Sequence, residues 1–260
     1  MTTAAPPEPI HSAEVAIAAL QDSDNQIRYY AAWWLGKHQV QSACAALIEA
    51  LQDERYRTAA GGYPLRRQAA RALGQLKNPQ AVPALVQVLE CEDLRLREAA
   101  IQSLGTIGDT RAINPLLNLL QSGTEQPYEV LIEALGTLKI WQARSVVEPF
   151  LNNPSERVQC AAARYLYLLT QQPQYIERIV KNLNHDNMYL RWAAAFDLGA
   201  IGHLEAAQAI IKANLANSLK LLNLKRILQA VLDSNELDEA AKPEKFQALM
   251  SLIDDLLIKL

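Results

Sequence analysis

The sequence predicts an all-α solenoid of about six to seven two-helix repeats, and three observations carry the prediction. A motif returns at a near-constant interval, a second segment of helical period follows each copy, and no stretch shows the two-residue alternation of a half-buried strand. The motif is clearest in QIRYYAAWWLG (Gln26–Gly36), PLRRQAARALG (Pro64–Gly74), LRLREAAIQSLG (Leu94–Gly105) and YLRWAAAFDLG (Tyr189–Gly199). Each copy has an aliphatic residue and an arginine, small or apolar residues three and four later, leucine at seven and glycine at eight. PYEVLIEALG, with Tyr128 at the arginine place, and RVQCAAARYLY, with Gln159 there, are weaker copies. The anchors 28, 66, 97, 128, 159 and 191 are spaced by 38, 31, 31, 31 and 32 residues.

The elements follow in order. MTTAAPPEPI, with three prolines, reads as a disordered arm over residues 1–10, and residues 11–260 as a single repeat domain. A helix over Ser12–Leu20 stands ahead of the first copy. After each anchor helix comes its partner: SACAALIEAL, QAVPALVQVLE, RAINPLLNLLQ, QARSVVEPFLN and QYIERIVKNL. A seventh copy starts at Ser218 in SLKLLNLKRILQAVL, SNELDEAAKPEK (Ser234–Lys245) is a polar connection, and a last helix near Glu244–Leu260 covers the end. Two helices in a 31-residue unit describe a HEAT-like α-α superhelix, shorter than the usual unit of about 40–47 residues. Small residues in the motif should let neighbouring helices approach, and its glycine should end the first helix as a left-handed cap. Asp24 and Asp93, four residues before Arg28 and Arg97, suggest an acid–arginine ladder between repeats; the anchor arginines themselves read as structural.

Bulk properties exclude several function classes. A net charge of −3 and a pI near 5.9 lack the basic footprint of a nucleic-acid binder, and Glu98, Glu129 and Glu133 follow Arg66, Arg67 and Arg71 with the opposite sign. Three widely spaced cysteines do not make a disulfide framework, which fits a reducing cytoplasm. No basic-then-apolar leader and no apolar run long enough to span a membrane is present. The four histidines show no ligand spacing, so no metal is expected, and no GxSxG, GxGxxG or GxxxxGK[ST] supports serine-hydrolase or nucleotide chemistry. Cys160 lies in a polar column where partial exposure is conceivable, although a small packing residue is the plainer reading.

The repeat can be read by columns, since a residue that departs from its column serves something other than the stack. Positions one and five after the anchors read Tyr29 and Trp33, Arg67 and Arg71, Glu98 and Gln102, Glu129 and Glu133, Cys160 and Arg164, then Trp192 and Phe196. The middle copies are polar, so this column should face water or a partner. Positions two and six begin with Tyr30 and Trp34, where later copies are small or semi-polar. Either the Ser12–Leu20 helix folds over these four rings as an N-terminal cap, or they form an aromatic surface for a flat ligand or a partner. The long first interval is the second departure. Its extra seven or so residues fall in QDERYRTAAGGYPLRR (Gln52–Arg67), with Asp53, Glu54, Tyr63, Arg66 and Arg67 around a Gly61-Gly62 pair and Pro64 placed to open a helix. This is either a solvated linker or a binding loop, because insertions in repeats collect on one face.

YYAAWWLGK (Tyr29–Lys37), GGYPLRRQAARALG (Gly61–Gly74), LECED with REAAIQSLG (Leu89–Gly105), QPYE with EALG (Gln126–Gly136) and RVQCAAARY (Arg157–Tyr165) together resemble the E-type subunit of cyanobacterial phycobilin lyases. The resemblance runs from about Val15 beyond Gly199; its first two motifs are specific, while the AAxxLG parts are shared by any HEAT-like lyase repeat. It implies a heterodimer with an F-type subunit that joins phycocyanobilin, a substrate rather than a cofactor, by a thioether to a cysteine of a phycobiliprotein α subunit. It also implies a cytoplasmic location near phycobilisomes at the thylakoid surface. The thiolate adds to the ring A ethylidene group, so the protein's task is mainly to hold and present the chromophore. An open-chain tetrapyrrole with two propionates calls for aromatic walls, for which Tyr29, Trp33 and Tyr63 are candidates, with Tyr30 and Trp34 beside them as candidates for binding the bilin or a partner. Arg66, Arg67 and Arg71 are candidates for the propionates, and Asp53 or Glu54 for the pyrrole nitrogens. The acceptor can be phycocyanin or phycoerythrocyanin; DERYR, RRQAARALGQL and NLNHDN lean toward the second, with isomerisation to phycoviolobilin left to the partner because this chain has no adjacent His and Cys. The rival reading is a HEAT-repeat scaffold without enzymatic activity, or a factor that chaperones or detaches chromophore.

Overall fold

A computed structural model describes residues 10–233 and 242–258. The expected arm falls mostly outside these residues, as does most of the Ser234–Lys245 connection. Among the described residues the chain is all-α and forms two compact units, Met1–Ile140 and Trp141–Leu260. Among the described residues a short α1 (Ala13–Ala19) precedes six helix pairs and the helices α8 and α9, one in each unit, a count that fits the repeats read from the motif. In the first unit these are α2 (Asn25–Lys37) with α3 (Cys44–Gln52), α4 (Pro64–Leu76) with α5 (Val82–Gln87), α6 (Leu94–Ile107) with α7 (Ile113–Gln121), and α8 (Tyr128–Thr137). The second unit holds α9 (Arg144–Val147), α10 (Glu156–Thr170) with α11 (Pro173–Lys181), α12 (Met188–Ile201) with α13 (Leu204–Lys212), and α14 (Asn217–Asp233) with α15 (Lys242–Leu257).

The anchor helices of successive repeats pack directly on one another, α2 on α4, α4 on α6 and α6 on α8, and likewise α12 on α14. Their contact surface is columns two and six. Gln68, Ala72, Ala99, Ser103, Val130 and Ala134 are all buried, and a glycine of the preceding helix faces position six. A Cβ on Gly36 would lie 2.8 Å from the Ala72 Cα, one on Gly74 2.9 Å from the Ser103 Cα, and one on Gly105 3.3 Å from the Ala134 Cα. The motif glycine is thus required by close approach and is not the left-handed cap expected from the sequence. The left-handed residue comes three positions later, at Gln39, Lys77, Gly108, Lys139 and Gly202. There it ends the helix and lets a tight 3₁₀ turn lead into most of the second helices.

The acid–arginine ladder also takes a different form. Asp24 is the N-cap of α2, accepting from the Gln26 amide, and Arg28 instead reaches forward to Asp53 at 2.5 Å and to Asn25. Asp93 caps α6 through the Arg95 and Leu96 amides while holding Arg67 of the repeat before it through two bonds of 2.8 and 2.7 Å. In the second unit Arg157 of α10 bonds Asp197 of α12 at 2.8 Å. The physical reason is that an acid at a helix N-terminus turns to the free backbone amides there, while a largely buried guanidinium takes whichever acceptor the packing brings within reach.

Candidate functional site

The aromatic helix α2 begins at the Asp24 cap, and Ala31, Ala32, Leu35 and Gly36 turn inward, which leaves the rings to its other faces. The short α1 packs on α2 and leaves the tyrosines open: Tyr29 keeps 40% and Tyr30 48% of its surface, with Trp33 and Trp34 half-buried. Trp33 is held between Tyr30, stacked at 5.2 Å, and the Lys37 ammonium 4.6 Å from its ring centre. Trp34 stacks on His38 at 4.1 Å. Tyr29 and Trp33 occupy the same column as Arg67 and Arg71 on the adjoining α4, so one face runs from aromatic to basic, and then to acidic at Glu98, Glu129 and Glu133. Arg71 is exposed and has no ion pair or hydrogen bond from its side chain among the described residues. Arg67 is already committed to Asp93.

The inserted loop is tied down. Thr58 and Gly62 close a turn through Thr58 N to Gly62 O and Gly62 N to Thr58 Oγ1, with Gly61 at φ +81°, where a side chain would be strained. The loop then enters α4 with Pro64 at its first position, as expected. Tyr63 donates its amide to Asp93, and its ring lies beneath two guanidiniums, Arg66 at 4.7 Å and Arg57 at 5.4 Å. Arg66 is buried, donating to the Leu51 carbonyl and to Glu54. Glu54, Arg57, Tyr63, Arg66, Cys91 and Glu92 line a shallow cavity of about 310 Å³.

The structure therefore sorts the sequence candidates into two places. Tyr29, Trp33 and Arg71 share the anchor-helix face, whereas Glu54, Tyr63 and Arg66 meet at the loop cavity. Asp53 has a buried carboxylate held by Arg28 and Arg55. The Arg55 hydrogen bond is the main cause that keeps its pKa below the ordinary value. At Asp93 burial raises the pKa, but the Arg67 and Tyr63 hydrogen bonds outweigh it and the net direction is down. Both carboxylates are spent on joints.

Cys160 is fully buried, as a small packing residue, and not partly exposed as its column allowed. In the second unit that position turns against Asn182, whose Nδ2 donates to its Sγ at 3.2 Å, and burial pushes the thiol up to about 11. Such a thiol is no nucleophile.

One exposed patch was not singled out from the sequence. On α12, Tyr189 keeps 70%, Trp192 39% and Phe196 40% of its surface, and Arg226 of α14 lies 5.6 Å over the Phe196 ring. The signal was present, since Trp192 and Phe196 stand in the column of Tyr29 and Trp33.

Comparison with known proteins fits this frame. Residues 63–136 match the HEAT repeats family, and residues 27–53 and 190–215 match the PBS lyase HEAT-like repeat. The bilin biosynthesis protein PecE of Mastigocladus laminosus is 66% identical over the full length of both chains, and PecE of a Nostoc species is 70% identical over 97% of this chain and 99% of its own. The phycocyanobilin lyase subunit alpha of the same Nostoc is 48% identical over 94% of this chain and 93% of its own. A solved structure, the complex of CpcE and CpcF of phycocyanin lyase from Nostoc, contains a chain that superimposes with a TM-score of 0.83 at 46% identity, covering 98% of each chain. Matched over nearly the whole length of these relatives at 46–70% identity, the chain belongs to the phycobilin lyase family, as an E-type subunit.

Proposed function

We propose that this chain is one subunit of a heteromeric bilin lyase that, with an F-type partner, attaches phycocyanobilin to a cysteine of a phycobiliprotein α subunit. Its acceptor is phycoerythrocyanin, and isomerisation to phycoviolobilin depends on the partner. One observation carries the choice of acceptor: the chain is 66% and 70% identical to the two PecE proteins but 43–48% identical to the phycocyanobilin lyase alpha subunits.

The reaction adds the acceptor's thiol across the ring A ethylidene bond. A C–S bond forms, the displaced electron pair enters the conjugated path, and the chromophore takes up one proton, so no oxidant or reductant is consumed. Thiolates add readily to such carbons, and the gain comes from holding the chromophore in one conformation against the correct cysteine. Tyr29 and Trp33 supply a flat wall, Arg71 an uncommitted guanidinium for a propionate, and Tyr63 with Arg57 and Arg66 a second cationic–aromatic corner. The buried, high-pKa Cys160 supports a presenting role over a covalent one.

The test is co-expression of this chain with an F-type partner, the apo-α subunit and phycocyanobilin, followed by denaturing electrophoresis and zinc fluorescence. A covalent adduct is expected, absorbing at shorter wavelength than a phycocyanobilin adduct because isomerisation removes one double bond from conjugation. An adduct level no higher than without this chain would favour a scaffold.

A further inference from the structure

The sixth repeat presents an aromatic face that the reading above leaves unused. Tyr189, Trp192 and Phe196 stand at i, i+3 and i+7 on α12, which places them along one side of the helix over roughly 10 Å. Tyr189 and Trp192 meet edge to face at 5.9 Å, and Met188 beside them is also exposed. At the Phe196 end, Arg226 is held in place by neutral acceptors, the Phe196 carbonyl at 3.2 Å and Asn223 Oδ1 at 3.4 Å, and among the described residues it has no carboxylate partner. Arg157 and Arg164 converge on the single buried carboxylate of Asp197, at 2.8 and 3.8 Å. Burial, and then the charge of Arg164, lower the pKa of Arg226, and the buried Asp197 only partly opposes them. At this end of the ring patch Arg226 is therefore a guanidinium that no carboxylate pairs among the described residues.

Size and charge together select the kind of occupant. Aromatic side chains of about 150–250 Å² each, exposed to the extents given above, offer roughly 200–400 Å². A stable protein interface needs roughly 800 Å² per partner, so this face alone is too small for one. It suits one flat molecule lying on the rings with an acid group at the arginine end, where a guanidinium fork can take both carboxylate oxygens.

We propose that the α12 face is a second binding site on this chain, for a flat conjugated carboxylate, and that its ligand is the open-chain tetrapyrrole. The ligand's identity rests on the proposed function; the site rests on the α12 geometry. The test is equilibrium titration of the full-length chain with phycocyanobilin, read by induced circular dichroism and by tryptophan quenching. Two binding equivalents are expected. Arg226→Gln should weaken one of them about tenfold, Arg226→Lys should weaken it less, and Trp192→Leu should abolish it. The dimethyl ester of the chromophore should bind the wild-type and Arg226→Gln chains alike. Tyr29→Ala with Trp33→Ala should remove the other equivalent and leave this one. Far-ultraviolet circular dichroism checks each fold, and Phe196→Leu, which keeps an apolar side chain, substitutes if Trp192→Leu unfolds. A single equivalent indifferent to every α12 substitution overturns the proposal. So does an unchanged bilin titration in variants that no longer retain an F-type chain, since the face would then be a protein-docking surface. A zinc-visible adduct with no second equivalent sinks this site alone, and loss of the adduct with both equivalents intact sinks the proposed function alone.

Discussion

The first and sixth repeats both place rings at positions one and five, Tyr29 and Trp33 on α2, Trp192 and Phe196 on α12, but they differ at positions two and six. On α12 those places hold Ala193 and the buried Asp197, whereas on α2 they hold Tyr30 and Trp34. The stack explains this second pair. Later anchor helices press columns two and six against a preceding anchor helix, and α2 has only the short α1 ahead of it, so large side chains fit there. No such account serves positions one and five, which face away from the helix stack in both repeats. The lesson is that the end of the stack accounts for Tyr30 and Trp34, while packing gives no reason for rings at Tyr29, Trp33, Trp192 and Phe196, the positions that the proposals above use for binding.

That separation can be broken by measurement. The largest expected effect is on the joints: Asp53→Ala strands the buried Arg28 and should cost about 3–5 kcal/mol in urea unfolding. Asp197→Ala leaves Arg157 and Arg164, both partly solvated, and should cost about 2 kcal/mol. Equal losses would mean that the two joints are not built differently. Next come the glycines. Gly36→Ala drives a methyl against the Ala72 backbone and should lose about 2–3 kcal/mol, while Gly199→Ala meets the Asn223 side chain and should lose about 1–2 kcal/mol.

Acid sensitivity follows from Asp53. Its folded pKa lies below the ordinary 3.8, so its contribution is complete above that range and is lost as pH falls through 3.8 toward the folded value. Thermal melts of Asp53→Asn should show a shallower acid limb than wild type; an unchanged limb would assign acid unfolding to other carboxylates. The smallest stability effect belongs to the face. Arg71→Gln should change stability by less than about 0.5 kcal/mol and yet lower adduct yield severalfold. Arg67→Gln is a poorer probe because it also breaks the Asp93 joint.

The repeat, its helix pairs and the exceptional first helix were legible in the sequence because each column is sampled several times, so a pattern of burial shows up as a pattern of residue type. What escaped was contact between distant residues of similar type. Asp93 stands four residues before Arg97, yet it grips Arg67, 26 residues away, and nothing in local spacing marks that choice. The glycine read as a cap because glycine is common there, and only the approach of Ala72 or Ser103 reveals its other use. The α12 rings were visible in their column but had no inserted loop beside them, and Arg226, which completes the patch, lies in the weak seventh copy, where no column marks it.

Three residues after each motif glycine the backbone turns left-handed, at glutamine and lysine as readily as at glycine. The corner is thus set by its position in the unit rather than by one residue type. A 31-residue segment cut from corner to corner could be duplicated or removed as a cassette, its two ends meeting the same geometry they left. The first interval is the exception, since its loop is bonded to Asp93 of the repeat beyond it. Gene rearrangement could lengthen or shorten such a protein among its middle repeats while leaving the aromatic helix and its loop as a fixed pair.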